Sequence, residues 1–284
     1  EITGKYCVSG TIGGNIIVSD EDIYTEFNSD NFLGNVDADA FAGGFIGYNL
    51  IIGGSLEQGI QYVDYVVDTI LDLAENKSLE EFVDSFGDIK TEPTDARLTI
   101  IGTEEETIQQ IRFGSLAADV YVGGVVGYNA EDTCLTISGV INKTPVEARK
   151  TIQNPDENED RPDADYSYAG GIIGKVGKNV QVINCRNLDV GDVTTDGTYL
   201  GGICEINDGT IEDCYVSSIG SSDKSFVGGI AGLNKGDGLI QNCNFTEGKT
   251  ITGNTYVGGI AAENYGVIKE PYLFNGTINA YGNY

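Results

Sequence analysis

The chain of 284 residues contains no histidine, no methionine and no tryptophan. Without histidine, neither a Ser-His-Asp nor a Cys-His catalytic site can be built, and most zinc-binding templates are excluded. The lack of methionine, even at the first position, predicts a processed or excised segment from which any signal peptide has been removed. No run of about 20 apolar residues is present, so the sequence predicts no membrane span.

Basic residues are scarce as well, with 16 Lys and Arg against 44 Asp and Glu, and the formal net charge is −28. Proteins bind nucleic-acid phosphates and anionic lipid surfaces through clustered basic side chains, so the composition argues against nucleic acid as a partner. The acidic excess indicates solubility through self-repulsion or, alternatively, an attraction for calcium.

Glycine is abundant, and much of it lies in a nine-residue motif, here called the nonapeptide. Its copies are 41–49 (FAGGFIGYN), 121–129 (YVGGVVGYN), 168–176 (YAGGIIGKV), 199–207 (YLGGICEIN), 226–234 (FVGGIAGLN) and 256–264 (YVGGIAAEN). The last four copies start 31, 27 and 30 residues apart. A near-constant period of this size predicts a solenoid, in which neighbouring repeats bury one another's faces. The recurring Gly-Gly pair predicts a bend or a close approach of neighbouring backbone.

Each repeat is interpreted as three short strands joined by turns. The nonapeptide supplies the first strand, an Asn-x-Gly turn with left-handed backbone follows, and a partly alternating segment such as 239–245 supplies the second. A weaker third strand, such as 249–252, completes the repeat. The sequence therefore predicts an all-β fold, a parallel β-solenoid of about six to seven rungs formed by residues 1–284 as one domain. Residues 1–40 are expected to be an atypical first rung or cap.

Three of the six cysteines, Cys185, Cys214 and Cys243, recur at one phase of the second strand. They are expected to stack in a column that points inward. Reduced core thiols are favoured over disulfides, since in-register parallel strands give awkward bridge geometry.

The repeat resembles the GLUG motif, which is found in β-helical segments of bacterial surface and secreted proteins. The likeness rests on the Gly-Gly-Ile-Ala-Gly core at 228–232, the Asn-x-Gly turns and the Ile-x-x-Cys strands, and it covers about 41–49 and 121–284 apart from an insertion. It implies a scaffold or adhesive stalk rather than a catalyst. Glu205 and Ala262 depart from it at the third glycine, and Pro271 departs from it in the cysteine column.

Two segments interrupt the repeats. Residues 50–96 predict an inserted helical hairpin, with an amphipathic helix from about Ser55 to Glu75 and a shorter one from Leu79 to Phe86. This hairpin is interpreted as a lid or, alternatively, as a partner-docking element. Residues 143–166 predict an inserted polar acidic loop, which is either a solvated disordered segment or a calcium site. The candidate calcium ligands are Asp156, Glu157, Glu159, Asp160, Asp163 and Asp165.

Two further carboxylates, Glu205 and Glu263, lie near the end of the first strand in their copies. Paired carboxylates on one face could cut an acidic polysaccharide, although they are more typical of exposed turns. The favoured function is a non-enzymatic extracellular or cell-surface protein, an adhesin or stalk-like display module. Its expected partner is a protein or glycan at a cell surface, and calcium is the one candidate cofactor. A self-assembling filament made of copies of the chain is the second hypothesis, and a polysaccharide-degrading β-helix enzyme is the third.

Overall fold

The computed structural model describes residues 2–4, 7–27, 35–38, 40–53, 94–102, 110–111, 115–149, 152–153, 165–188, 193–195, 197–217, 219, 226–245, 249–270 and 276–281. These residues form strands and turns, and none of them lies in a helix. Every strand pair but one is parallel. The predicted all-β fold with parallel sheets is therefore confirmed for the part of the chain that is described.

The strands stack in five columns, a to e, and each column takes strands from successive repeats. Column a contains β1 (Ile2–Gly4), β5 (Asn35–Ala38), β10 (Ser115–Ala118), β15 (Val146–Ala148) and β22 (Val193–Thr195). Column b contains β2 (Cys7–Ser9), β6 (Phe41–Gly43), β11 (Tyr121–Gly123) and β18 (Tyr168–Gly170), then β23 (Tyr199–Gly201), β27 (Phe226–Gly228) and β32 (Tyr256–Gly258). Column c contains β3 (Ile12–Val18), β7 (Ile46–Ile52) and β12 (Val126–Asn129), then β19 (Lys175–Val176), β24 (Cys204–Asn207), β28 (Ala231–Asn234) and β33 (Ala261–Asn264).

Column d is one uninterrupted seven-stranded sheet. It contains β4 (Ile23–Phe27), β8 (Arg97–Gly102), β13 (Cys134–Ser138), β20 (Val180–Ile183), β25 (Thr210–Glu212), β29 (Leu239–Gln241) and β34 (Val267–Lys269). Column e contains β9 (Gln110–Ile111), β14 (Ile141–Asn142), β21 (Arg186–Asn187), β26 (Tyr215–Val216) and β30 (Asn244–Phe245). A complete repeat thus has five strands rather than the three that were predicted. The nonapeptide divides between columns b and c, and the predicted second strand divides between columns d and e.

Two smaller pairs complete the strand list. They are the parallel pair β31 (Thr250–Gly253) with β35 (Thr277–Ala280) and the antiparallel pair β16 (Ile152–Gln153) with β17 (Asp165–Tyr166).

The strand register reveals a seventh copy of the nonapeptide at residues 7–15. Cys7 pairs with Phe41 at position 1, and Asn15 pairs with Asn49 at position 9. The expected atypical first repeat is therefore a divergent copy that begins with cysteine and has Ser9 in place of the first glycine. The copies are called repeats 1 to 7 below, in chain order.

The paired glycines are required by close backbone contacts. At position 3, a Cβ on Gly123 would overlap the carbonyl oxygen of Val126 in the same repeat. At position 4, a Cβ on Gly124 would overlap the carbonyl oxygen of Gly171 in the next repeat. The first glycine therefore permits the bend and the second permits the stacking, so the positional role predicted from the sequence is confirmed.

Apolar side chains form two clusters on opposite sides of this bend. The main core includes position 2 and position 6 of the nonapeptide, such as Val122 and Val126, which are both fully buried. In the second cluster, the aromatic residues at position 1 pack against the side chains at position 8. In it the rings of Tyr121 and Tyr168 stack with centroids 4.6 Å apart.

The left-handed backbone lies elsewhere than predicted. Among the described residues it occurs at Gly139, Asn184, Asp213, Asn242 and Glu270, which all follow a column d strand. The asparagines of the Asn-x-Gly turns are instead the last residues of column c strands. The prediction placed the left-handed residues after the column c strands, whereas they follow the column d strands.

The predicted insertions lie largely outside the described residues. Residues 50–52 belong to β7, and the helices predicted at 55–75 and 79–86 fall in the range 54–93, which is not described. In the range 143–166, Val146–Ala148 is a column a strand rather than loop. The stacked repeats therefore extend to Ala148, and the antiparallel pair of β16 with β17 comes after it.

Candidate functional site

A cleft of about 220 Å³ lies beside repeats 3, 4 and 5, at the ends of their column c strands. The turns that follow these strands, 130–133, 177–179 and 208–209, form part of its wall. Its aromatic lining comes from Tyr121 and Tyr128, and its charged lining includes Lys175, Lys178 and Asp208.

The cleft lies where the column c ladder separates. β12 ends one three-stranded sheet and β19 begins a four-stranded one, and a single bridge between Val126 and Ile173 connects the two. Beyond that bridge, β12 continues through Tyr128 to Asn129 while β19 holds Lys175 and Val176. The split leaves a gap between two strands that are stacked in the other repeats.

An asparagine ladder is interrupted at the same place. Asn15 donates to Asn49 (2.7 Å) and Asn49 donates to Asn129 (2.8 Å), each through Nδ2 to Oδ1. The ladder resumes only at Asn207, because Val176 occupies position 9 in repeat 4. Asn129 accordingly turns its Nδ2 to the carbonyl oxygen of Thr133, in its own turn.

Charged side chains connect the turns around the cleft. Lys175 Nζ lies 3.3 Å from Glu131 Oε1, and Lys178 Nζ lies 2.8 Å from Asp237 Oδ2. The hydrogen bond to Asp237 raises the pKa of Lys178, and the same bond lowers the pKa of Asp237. Both side chains are exposed, so this pair orients the lysine but adds little to stability.

The tyrosines of the cleft are mostly covered, with 5% of Tyr121 and 9% of Tyr128 exposed. Their rings meet edge to face, with centroids 4.7 Å apart. Burial is the main cause that raises the pKa of the Tyr128 hydroxyl. The tyrosines therefore present a small, neutral, partly aromatic floor between charged turns.

Glu205, one of the two carboxylates in the polysaccharide hypothesis, is only 1% exposed and not in an exposed turn. It occupies position 7, where five of the seven copies have glycine. The column b ladder is broken between β18 and β23, and there the Ala169 amide donates to Glu205 Oε2 (3.2 Å). The carboxylate thus accepts a hydrogen bond from a backbone amide where two strands of column b are not paired.

Glu263, the other carboxylate, has a different environment. It occupies position 8, is half-buried, and accepts a hydrogen bond from the Tyr199 hydroxyl (2.8 Å). Its Cα partner in repeat 6 is Leu233, whose partner in repeat 5 is Ile206 rather than Glu205. The two carboxylates therefore lie in different columns of side chains.

The candidate calcium ligands fall mainly outside the described residues. Asp165 is in β17, and Asp156, Glu157, Glu159, Asp160 and Asp163 lie in the range 154–164, which is not described. Within the described ranges, no group of three or more His, Cys, Asp or Glu side chains is arranged to bind a metal ion.

The predicted cysteine column is confirmed. Cys185, Cys214 and Cys243 are at most 1% exposed, and each thiol lies near a carbonyl oxygen of the preceding repeat. All six cysteines are free thiols in the structure. Burial raises the pKa of Cys7 to about 12. Covered thiols held in this way are unsuited to nucleophilic chemistry.

Sequence reasoning did not identify the cleft. The available signal was the fourth nonapeptide, which ends in Lys175 and Val176 where most other copies have an uncharged residue and asparagine. A departure from an otherwise consistent repeat is where a functional site is expected.

No family model, no curated protein and no solved structure matches the chain. Among the described residues, no helix is long and apolar enough to span a membrane.

Proposed function

We propose that the chain closes into a parallel β-solenoid of about six to seven rungs, of the kind that the GLUG motif forms. The supporting observation is the order of the columns, since the described strands of each repeat run from a to e and pair with the same columns of the next repeat. Each column extends the stack by about 4.8 Å per repeat, which gives a rod roughly 30 Å tall.

The function that this architecture supports best is a non-enzymatic display module, an adhesin or stalk-like protein of the cell surface or extracellular space. The observation that carries it is the in-register backbone ladder, which provides a rigid support for the turns between columns c and d. Binding residues are commonly placed on turns and loops that a rigid scaffold positions. The buried positions of Glu205 and of four of the six thiols favour this function over catalysis.

The test is attachment of the purified, fluorescently labelled chain to intact cells and to isolated cell-wall polysaccharide. We expect saturable attachment that is abolished when the chain is heat-unfolded before labelling. Absence of saturable attachment to every surface would contradict the display function.

A parallel assay separates display from catalysis. The chain is incubated with acidic polysaccharides, and newly formed reducing ends are measured. We expect none. Release of reducing ends that disappears in Glu205→Gln or Glu263→Gln would establish the enzyme hypothesis instead.

A filament subunit is the second candidate, and the exposed edge of repeat 7 favours it. Five of the seven exposed large hydrophobic residues in the described chain are Tyr256, Tyr265, Val267, Ile278 and Tyr281. The clearest contrast is between paired positions, since Ile251 is fully buried whereas its partner Ile278 is 43% exposed. Strands β32, β33 and β34 are edge strands of columns b, c and d, and β2, β3 and β4 are the opposite edges of these columns. A second copy could therefore pair head to tail, which gives an open assembly.

Electron microscopy and light scattering over a range of concentrations, with and without calcium, test this candidate. Regular filaments that Val267→Lys disrupts would support it, because the charge would be placed at the edge strand. Ile101→Lys is the matched control, because it places the same charge at an exposed position of β8, which is an interior strand of column d. Particles of single-chain mass at every concentration would exclude the filament.

A further inference from the structure

We propose that the cleft between repeats 3 and 5 binds one or two residues of a neutral or amino-substituted sugar chain. This inference rests on the proposed display function, since it names the class of ligand that the module would hold. It is carried by three independent features of the cleft: its position in the repeat, its chemistry and its size.

The position of the cleft is a departure from the repeat rather than a groove that every repeat shares. In repeats 5 and 6, position 8 is Ile206 or Leu233, which are at most 2% exposed and pack in the aromatic cluster. In repeat 4 the same position is Lys175, whose ammonium group pairs with Glu131 on the turn of repeat 3. A solenoid that only needed to stack would be stabilised by an apolar residue here, so the lysine and the opened ladder indicate a role in binding.

The chemistry of the lining matches a sugar. A sugar ring has apolar C–H faces and a rim of hydroxyl groups that both donate and accept hydrogen bonds. Tyr121 and Tyr128 supply a partly apolar floor, and tyrosine is a side chain that combines an apolar body with a polar tip. Around it, the carboxylates of Asp132 and Asp208 can accept hydrogen bonds, and the ammonium of Lys178 can donate them.

The charge of the site decides which sugars fit. Glu131, Asp132 and Asp208 outnumber the two lysines of the lining, and the whole chain carries −28. Sulfated, carboxylated and phosphorylated chains would be repelled from such a surface. Neutral sugars are not repelled, and protonated amino sugars are attracted by the negative charge of the site.

The size of the cleft limits how much of the ligand is held. Its volume of about 220 Å³ is smaller than the roughly 300–1,000 Å³ of sites that enclose a drug-sized ligand. One or two sugar residues of a longer chain therefore fit, while the rest of the chain stays outside. This favours a sugar chain over a free metabolite, because the cleft needs to enclose only one or two units of the ligand.

The experiment measures binding of the labelled full chain to immobilised malto-oligosaccharides, chitosan oligomers, sialylated oligosaccharides and heparin fragments. We expect binding to one or both of the first two classes and none to the acidic ones. The double variant Asp132→Asn with Asp208→Asn should weaken this binding at least tenfold. The matched control, Asp95→Asn with Glu147→Gln, changes net charge by the same amount at exposed positions outside the cleft and should bind within twofold of the native chain.

Equal binding by the two double variants would overturn the inference, because binding would then not depend on the carboxylates of the cleft. Binding to the acidic classes alone, or to no class, would also overturn it. Circular dichroism and thermal unfolding confirm that each variant is folded before its binding is interpreted.

The same proteins are then applied to intact cells, so that failure of this inference can be told from failure of the display function. Cell attachment by a native chain that binds none of the oligosaccharides would overturn the sugar site and leave display intact. Sugar binding without attachment to any cell would leave the sugar site intact and contradict display.

Discussion

At the scale of single residues, glycine and cysteine have distinct structural roles. Glycine at position 3 permits the bend within a repeat, and glycine at position 4 permits the contact between repeats. Cysteine forms a covered column in repeats 4 to 6, where its size suits a narrow interior wall. In both cases the size of the side chain is limited by the space that the neighbouring backbone leaves free.

Gly228→Ala should therefore be strongly destabilising. A Cβ at Gly228 would overlap the carbonyl oxygen of Ala231 and lie 2.8 Å from the amide nitrogen of Ala262. Because backbone rather than a flexible side chain is in the way, we expect a loss of about 1–3 kcal/mol or more in the free energy of unfolding, measured with urea. Gly236→Ala is the control, since no heavy atom lies within 4 Å of its Cβ, and it should change stability by no more than about 1 kcal/mol. Equal effects of the two substitutions would contradict the close-contact explanation.

Because of the buried Cys204 thiol, we expect the free energy of unfolding to fall at alkaline pH. Burial raises its pKa, and the neighbouring Glu205 carboxylate adds to the effect. In the unfolded chain a thiol ionises near pH 8.5, so above that pH the unfolded state binds fewer protons than the folded state and stability falls as pH rises. Below about pH 8 the thiol is protonated in both the folded and the unfolded state, so its contribution to the free energy of unfolding is fully present.

Cys204→Ala removes this term, and alanine already occupies the equivalent positions 231 and 261. Between pH 9 and pH 11 the slope of unfolding free energy against pH should be less steep in the variant, by up to about 1.4 kcal/mol per pH unit. Urea titrations at several pH values measure both slopes. Identical slopes would show that Cys204 does not carry the alkaline effect.

At the scale of elements, the columns differ in how continuous they are. Column d runs through seven strands without a break, whereas column b is split beside Glu205 and column c is split at the cleft. The asparagine ladder follows the column c strands and shares that split. Side-chain ladders therefore reinforce the backbone ladder where it is regular and stop where it opens.

Asn234→Ala tests the contribution of the ladder. Asn234 is fully buried, accepts a hydrogen bond from Asn207 (2.7 Å) and donates one to Asn264 (2.7 Å). The substitution would leave the covered Asn207 amide without this acceptor, so we expect a loss of about 1–3 kcal/mol in unfolding free energy. Asn264→Ala, at the exposed end of the same ladder, should cost no more than about 0.5 kcal/mol. A larger cost at Asn264 than at Asn234 would contradict the role of burial.

At the scale of the whole molecule, the main feature is negative charge on a regular stack. Ion pairs such as Arg149 with Asp119 (3.2 Å) neutralise a small part of it. Folding confines a net charge of −28 to a smaller volume than the unfolded chain occupies, so self-repulsion acts on the folded state.

Added salt should therefore stabilise the protein. Raising NaCl from 10 to 300 mM shortens the screening length from about 30 Å to less than about 10 Å, and the midpoint of thermal unfolding should rise by several degrees. A fall in the midpoint would mean that ion pairs outweigh repulsion. Calcium chloride at matched ionic strength is the control, because a further rise reversed by a chelator would indicate specific calcium binding and support the site predicted at 156–165.

The sequence by itself determined the all-β class, the parallel stacking of repeats and the column of buried cysteines, because these follow from a period and from local residue spacing. It also indicated that the recurring Gly-Gly pair has a positional role, a bend or a close approach of neighbouring backbone, because glycine is costly in an ordinary strand. Tertiary structure decided the features that depend on how unequal repeats fit together. The divergent copy at 7–15 is recognised only from its pairing with 41–49, Glu205 is buried only because a ladder breaks beside it, and the left-handed column follows a different strand from the predicted one. The cleft is likewise absent from any single repeat, because it forms only where Tyr128 of one repeat and Lys175 of the next fail to continue the ladder.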